Sequence, residues 1–278
     1  MPATLADLIA ARFGDVPDLP EMPPADPTIA RVLGRRVHRE YADHPVPEAL
    51  IDLLLAAAFS APSKSDYQQA SVVKVEDRAK RAAIAAAVPD MPWIATAPWF
   101  LIFLGDSRRL DRICRMRGTE RANGGLEGLF NATVDAALVM QTFLLAAESA
   151  GLGCCPISYV RYHMDVVARE LALPDGVFPV AGLCVGYPVG EGRISPRLPL
   201  AATVHRDIYD NGAFEQHIDA YDRRRAETHP IAPEKQRNPA RFGRAAFYGW
   251  SEDKARQAAE ADGASFPAWL RSHGFPRD

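Results

Sequence analysis

The sequence predicts a fold of alternating strands and helices built around one enclosed strand and one long buried helix. Three observations lead there. Residues 98–104 (PWFLIFL) are too apolar for a strand with one face in solvent, which makes them a central strand. Residues 131–150 (NATVDAALVMQTFLLAAESA) are apolar on nearly every helical face, the mark of a helix enclosed by neighbours. Around these two, shorter strand and helix patterns alternate at irregular intervals.

Taken in order, the stretch ADLIAARF near the N-terminus reads as a short amphipathic turn interrupted by Gly14 and prolines. It has neither the charged-then-apolar order nor the cleavage site of a secretory signal. Residues 47–60 open with a proline suited to a first helical turn and carry Leu50, Ile51, Leu54 and Leu55 at helical spacing, so they form a helix ending before Pro62. A strand over 71–75, a helix over 77–87 and the central strand follow. The helix over 131–150 spans roughly 30 Å at about 1.5 Å per residue, and Gly151 and Gly153 stop it. A strand over 154–160, a helix over 163–171 and a strand over 177–186 (VFPVAGLCVG) complete the pattern, which weakens from about His205. Between Tyr221 and Arg244, Arg223, Arg224, Arg225, Lys235, Arg237, Arg241 and Arg244 outnumber Asp222, Glu227 and Glu234, and the segment reads as a basic extended arm. The chain divides accordingly into a core over 1–204 and a C-terminal extension over 205–278.

At 278 residues, 48% hydrophobic and 24% charged, the balance is that of one large globular domain or two small ones. A net charge of −3 gives no electrostatic reason to expect nucleic acid. Asp135, Gln141 and Glu148 keep residues 131–150 from meeting the requirement for a bilayer-spanning helix. Cys114, Cys154, Cys155 and Cys184 show no CxxC spacing, and the seven histidines show no metal-ligand spacing. The cysteines read as free thiols in a reducing cytoplasm, with Cys154 and Cys155 as small apolar fillers beside a strand.

The common protein-borne catalysts are absent. There is no GxSxG and no HExxH, and the hydroxyl-rich stretch holds no SxxK, since Ala61 stands three before Lys64. No GxGxxG follows a strand and no P-loop occurs. An enzyme with this sequence carries its reactive atom on a cofactor. Residues 34–41 (GRRVHREY) supply Arg35, Arg36 and Arg39, whose forked guanidinium donors can chelate a phosphate. Ser63, Lys64 and Ser65 can add hydroxyl and ammonium donors, giving a monophosphate pocket without a glycine cradle. The alternative is a solvated basic turn paired with nearby carboxylates.

RRVHREY at Arg35, SAPSKSDYQQ at Ser60, AAESAGLG at Ala146, GLCVGYP at Gly182 and PRLP at Pro196 occur in an order and spacing that resembles the nitroreductase/flavin reductase family, specifically its NADPH-dependent, oxygen-insensitive members. The resemblance runs over almost the whole chain. It implies an α+β flavoprotein with a mainly antiparallel central sheet flanked by helices, assembled as an intertwined homodimer that holds FMN in the subunit interface. By the same resemblance Arg35, Arg36, Val37 and Arg39 meet the FMN phosphate and the polar edge of the ring. Ser63, Lys64, Ser65 and Gln68 line the cofactor, Pro156, Ile157, Ser158 and Tyr159 pass along it, and Ser195 and Arg197 close the phosphate site. Three positions depart from the family pattern: Val37 stands for a serine, Ser158 and Tyr159 for glycines, and Ser195 for a lysine, whose charge Lys64 would replace.

The activity implied is FMN-dependent, two-electron, ping-pong transfer from NADPH or NADH to nitroaromatics, quinones or similar small acceptors. Cations and N–H donors beside the ring favour its reduced state, and water supplies protons, so no acid–base residues are required. The basic arm is the candidate for the 2′-phosphate of NADPH. A flavin reductase fits the same pocket, and a flavin-binding protein with little turnover is the rival from another class.

Overall fold

The computed structural model describes residues 4–14, 27–260 and 263–275. The prolines expected to interrupt the N-terminal pattern, from Pro17 to Pro24, lie outside the described residues. In chain order come α1 (Leu5–Phe13), α2 (Pro27–Leu33), α3 (Glu48–Ala58), β1 (Ala70–Lys74), α4 (Arg78–Ala87), α5 (Trp93–Thr96), β2 (Trp99–Asp106), α6 (Arg108–Met116) and α7 (Leu126–Ser149). There follow β3 (Gly153–Ile157), α8 (Met164–Leu171), β4 (Val177–Gly186), α9 (Phe214–Thr228), α10 (Pro239–Phe242), α11 (Trp250–Ala258) and α12 (Phe266–Ser272). The described residues fall into two compact units, one drawn from Met1–Arg35 and Arg193–Asp262, the other from Arg36–Gly192 and Gly263–Asp278.

In the second unit the described strands form one antiparallel sheet in the order β1-β2-β4-β3. Side chains alternate across β2. Leu101 and Phe103 join Ile51, Leu54, Phe143 and Leu183 in a core on one face, while Phe100 and Ile102 join Ile84, Ile94, Ile157 and Cys184 on the other. Each of these buried side chains contributes about 1.5–3 kcal/mol through burial. The expected central strand is thus covered on both faces.

Helix α7 packs against α3 and the sheet. By length and composition it is apolar enough to cross a membrane, but its inner side carries the buried Asp135, which is hydrogen-bonded to a neighbouring turn. It begins at Leu126, ahead of the predicted start, and Gly128 sits within it where a Cβ would meet Arg121 and Ser107. At its far end Gly151 adopts φ +78°, and Gly153 lets the chain pass His38 and Pro188, each within 3 Å of where a Cβ would stand. On its outer side Leu126, Phe130, Val134 and Leu138 recur every four residues and are exposed, Phe130 to 66%.

Two expectations are corrected. The strand predicted over 154–160 ends at Ile157, where the chain tightens into a 3₁₀ turn at Ser158–His163. The basic arm is not extended. Arg223, Arg224 and Arg225 lie on α9, whose Phe214, Ile218 and Tyr221 recur at helical spacing. In this first unit Tyr221 meets the Trp250 ring edge-on at 5.2 Å, and Asp222 accepts the backbone N–H of Ser251. The Tyr248 hydroxyl donates to Asp253 and accepts from the backbone N–H of Arg237.

Candidate functional site

The hydroxyl-rich turn before β1 is held in a conformation its residues do not favour. Ser65, Asp66 and Gln68 all have positive φ, between 50° and 56°, a region in which a side chain costs about 1–2 kcal/mol. The fastening is Asp135, 1% exposed, on α7. Its two oxygens accept the backbone N–H groups of Lys64 and Gln69, each at 2.9 Å, bracketing the turn. Buried Gln69 in turn accepts from Arg121, which also bonds Ser107 and Asp111. The Gln68 carbonyl accepts from Arg109, and Ser63 Oγ accepts the Gln68 N–H. Gln68 itself turns to Asp66, and the side chains of Lys64 and Ser65 are exposed. A cavity of ≈ 390 Å³ opens here, lined by Ser63, Gln68, Ala70, Arg109, Asp135 and Val139 among others.

The second group gathers along β3. His38 N donates to the Cys154 carbonyl, Ala42 N to Tyr187 and Val189 N to the Glu40 carbonyl, so residues 36–42 run as an extended segment beside the sheet. Tyr41 pins it by donating to the carbonyls of His38 and Cys184. Burial, reinforced by Cys184, pushes its hydroxyl well above the ordinary tyrosine range and keeps it a donor. Alternation turns Val37 onto the same core that Tyr159 and Trp93 cover, so a polar contact at this position is left to its backbone. Arg39 lies over the Trp93 ring, 5.3 Å from its centroid. Ile157 is buried in that core while Ser158 is exposed, and Tyr159 packs edge-on against Tyr162 at 4.7 Å.

The sheet register keeps these two groups apart. Ala70 pairs with Gly105 and Gly105 with Phe178 at one end of the sheet. Cys154 pairs with Val185 and Val185 with Trp99 at the other. Six residues of β2 separate the rows, roughly 20 Å, and β1 and β3 are three strand spacings apart, roughly 14 Å. The hydroxyl turn and the arginine segment therefore occupy diagonally opposite corners of one sheet.

In the first unit the remaining predicted residues converge on one that sequence reasoning missed. Arg12, 7% exposed, donates to the carbonyls of Leu33, Arg35 and Ser195, and its own carbonyl accepts the Arg197 N–H at 2.6 Å. Arg224 and Tyr221 hold the same segment by donating to the carbonyls of Arg197 and Pro196. The guanidinium of Arg197 bonds the Ser195 and Pro196 carbonyls. Nothing in the sequence separates a buried carbonyl-binding arginine from a solvated one at the end of an amphipathic helix.

Among the described residues no cluster of histidine, cysteine, aspartate or glutamate is arranged to hold a metal ion. Comparison with known proteins agrees on one family. The model of the "Nitroreductase family" matches residues 32–187, more than half of the chain, and that of the "Nitroreductase family, C-terminal domain" matches 195–278. The chain is 35% identical over 204 residues to "FMN reductase [NAD(P)H]" of Bacillus subtilis, covering 72% of this chain and 81% of that one. It is equally identical over 201 residues to "Oxygen-insensitive NADPH nitroreductase" of Salmonella typhimurium, covering 72% and 82%. A solved structure, NfrA2 of B. megaterium, superimposes with a TM-score of 0.81 at 30% identity, covering 91% of this chain and 99% of that one. The fold is accordingly nitroreductase-like, and the chain belongs to the nitroreductase family.

Proposed function

We propose that the protein is an FMN-dependent NAD(P)H oxidoreductase that moves two electrons in ping-pong order from a nicotinamide donor to nitroaromatic, quinone or similar small acceptors. The observation that carries the reading is Arg36, whose Nε is buried with no hydrogen-bond partner in the described structure. A desolvated guanidinium N–H aimed at no protein acceptor fits an anionic ligand, and the phosphate or pyrimidine edge of a flavin supplies one. When bound, the flavin accepts hydride and returns electrons, which this chain's own side chains are not equipped to do.

Within this reading Arg36 and Arg39 neutralise the anionic parts of the cofactor, Val37 contributes its backbone, and the backbone at residues 156–159 borders the ring. Ser63, Ser65 and Gln68 present donors from a turn that Asp135 holds, and Lys64 supplies the cation missing at Ser195. For the 2′-phosphate of NADPH the favoured groups are Arg223 and Arg244, exposed and without ion pairs among the described residues, whereas Arg224, Arg237 and Arg241 already bond protein carbonyls or carboxylates.

We further infer a homodimer with the cofactor between subunits. Support comes from the diagonal corners, which cannot meet around one small ligand within a chain, and from the exposed apolar stripe on α7. A cytoplasmic location agrees with four cysteines in the thiol form. The similarity to proteins named FMN reductase favours a second reading in which free flavin is the acceptor.

The test is a spectrum. The purified protein is expected to be yellow, to release FMN on denaturation, and to bleach with NADPH or NADH and recover with a quinone. A colourless protein that takes up no added FMN overturns the reading. Comparing turnover with free FMN and with a quinone separates the two acceptor classes.

A further inference from the structure

Helix α6 carries a concentration of cations that the oxidoreductase site does not use. Its sequence, RRLDRICRM, contains four arginines, and a cavity of ≈ 430 Å³ opens beside it, lined by Arg108, Arg109, Arg112, Ile113, Met116 and Val177 among others. The one carboxylate in the lining, Asp106, is already engaged. It accepts from Ser71 Oγ at 2.8 Å, from Arg109 Nη2 at 3.1 Å and from the Arg109 backbone N–H. The one carboxylate on the helix itself, Asp111, pairs with Arg121. Arg108 and Arg112 are left without an ion pair among the described residues. Standing four residues apart, they project from one face of the helix about 5–6 Å from each other at Cβ. Next to them Ile113 and Met116 are exposed, Met116 to 75%.

Two unpaired guanidinium groups beside an apolar surface suit an anion that carries a hydrophobic body, and the cavity has the size of a small-molecule site. Its position adds a further constraint. Arg109 lines both this cavity and the ≈ 390 Å³ cavity that takes in Ser63 and Gln68, and it bonds the carbonyls of Gln68 and Ala70 on either side of their junction with β1. A ligand in the α6 groove is therefore a neighbour of the hydroxyl turn. We propose that Arg108 and Arg112 form a subsite for the phosphate monoester of a substrate that exchanges at the redox site. This inference rests on the oxidoreductase reading. The phosphate can belong to a flavin mononucleotide acceptor or, in place of the assignment to Arg223 and Arg244 above, to the 2′ position of the dinucleotide donor.

The experiment uses the holoenzyme and substrate pairs that differ only in the phosphate, namely FMN against riboflavin as acceptor and NADPH against NADH as donor. In Arg108→Ala/Arg112→Ala the KM of the phosphorylated member of one pair is expected to rise about tenfold, as for loss of a charged hydrogen bond. Its unphosphorylated counterpart and kcat should be unchanged. A shift confined to FMN assigns the acceptor, and one confined to NADPH assigns the donor. If both members of each pair move together, or neither moves, the subsite is overturned. Arg112→Ala alone, at an exposed position, shows the same selectivity in smaller degree should the double variant be unstable. Should the protein hold no flavin and oxidise no NAD(P)H, the oxidoreductase reading has failed separately. Titration with inorganic pyrophosphate then decides the groove, since binding that is absent, or is not weakened by the double substitution, overturns it.

Discussion

Asp135 Oδ1 lies 2.9 Å from the backbone nitrogen of Lys64, tying the middle of the longest helix to a turn in which three non-glycine residues have positive φ. The other oxygen holds Gln69 at the same distance. In Asp135→Asn one of these N–H groups faces an amide NH₂ instead of an acceptor. An unsatisfied buried donor costs about 1–3 kcal/mol, and the loss is expected in urea denaturation midpoints. FMN affinity should fall alongside it, because the turn relaxes. Native-like flavin binding in the folded variant would mean the turn is shaped by something else.

Arg36 and Lys64 are expected to behave differently from Asp135. Arg36 Nε has no protein partner to lose, so Arg36→Ala should leave the stability of the flavin-free protein within about 0.5 kcal/mol. Flavin affinity should drop by one to two orders of magnitude, roughly the worth of a charge-assisted hydrogen bond. Lys64→Ala should weaken FMN less, and more so at low salt than at high. Fluorescence titration reads both, and full affinity in Lys64→Ala would remove its compensating role.

Arg12→Ala removes a cation that satisfies three carbonyls in a buried position. A stability loss of about 3 kcal/mol is expected, with Arg12→Lys restoring only part of it because an ammonium lacks the planar fork. Thermal denaturation of the two variants provides the comparison.

His229 supplies a pH dependence. Burial, then the positive charges of Arg225 and Arg193, lower its pKa below the ordinary 6.5. With the folded value depressed, the unfolded chain takes up the proton first as pH falls. The native state is therefore favoured above about pH 6.5 and loses that contribution as pH drops through the folded value. In His229→Asn the melting temperature should fall less between pH 7 and pH 5 than in the unsubstituted protein. An identical slope would rule out this residue as the source.

The stripe on α7 yields a test of assembly. Val134→Glu or Leu138→Glu places a charge where an apolar partner surface is inferred. Sedimentation should then report a monomer with reduced flavin content. A dimer that persists with its flavin would move the interface elsewhere.

Much of this architecture was legible because β2, β4 and α7 advertise burial through unbroken apolar runs or an apolar helix surface, signals that survive any uncertainty about partners. Boundaries were less legible where a local rule gave way to packing. The apolar run predicts α7 from residue 131, yet the helix starts at Leu126 and includes Gly128, where a Cβ would meet Arg121 and Ser107. In α9 the density of arginine masked the spacing of Phe214, Ile218 and Tyr221. The groups expected to touch the cofactor could be named from motifs, whereas Asp135 and Arg12, which hold those groups, look in the sequence like an interruption of an apolar helix and an ordinary surface cation. Their importance comes from backbone carbonyls and N–H groups, which leave no trace in residue identity.

The opposite placement of the arginine segment and the hydroxyl turn bears on genetics as well as chemistry. On the dimer reading, one polypeptide contributes its two polar corners to two different cofactor positions, so a lesion in each corner injures separate halves of the assembly. Co-expressing an Arg36→Ala chain with an Asp135→Asn chain would then regenerate, in every mixed pair, one position built wholly from undamaged parts. Two individually crippled alleles would rescue each other.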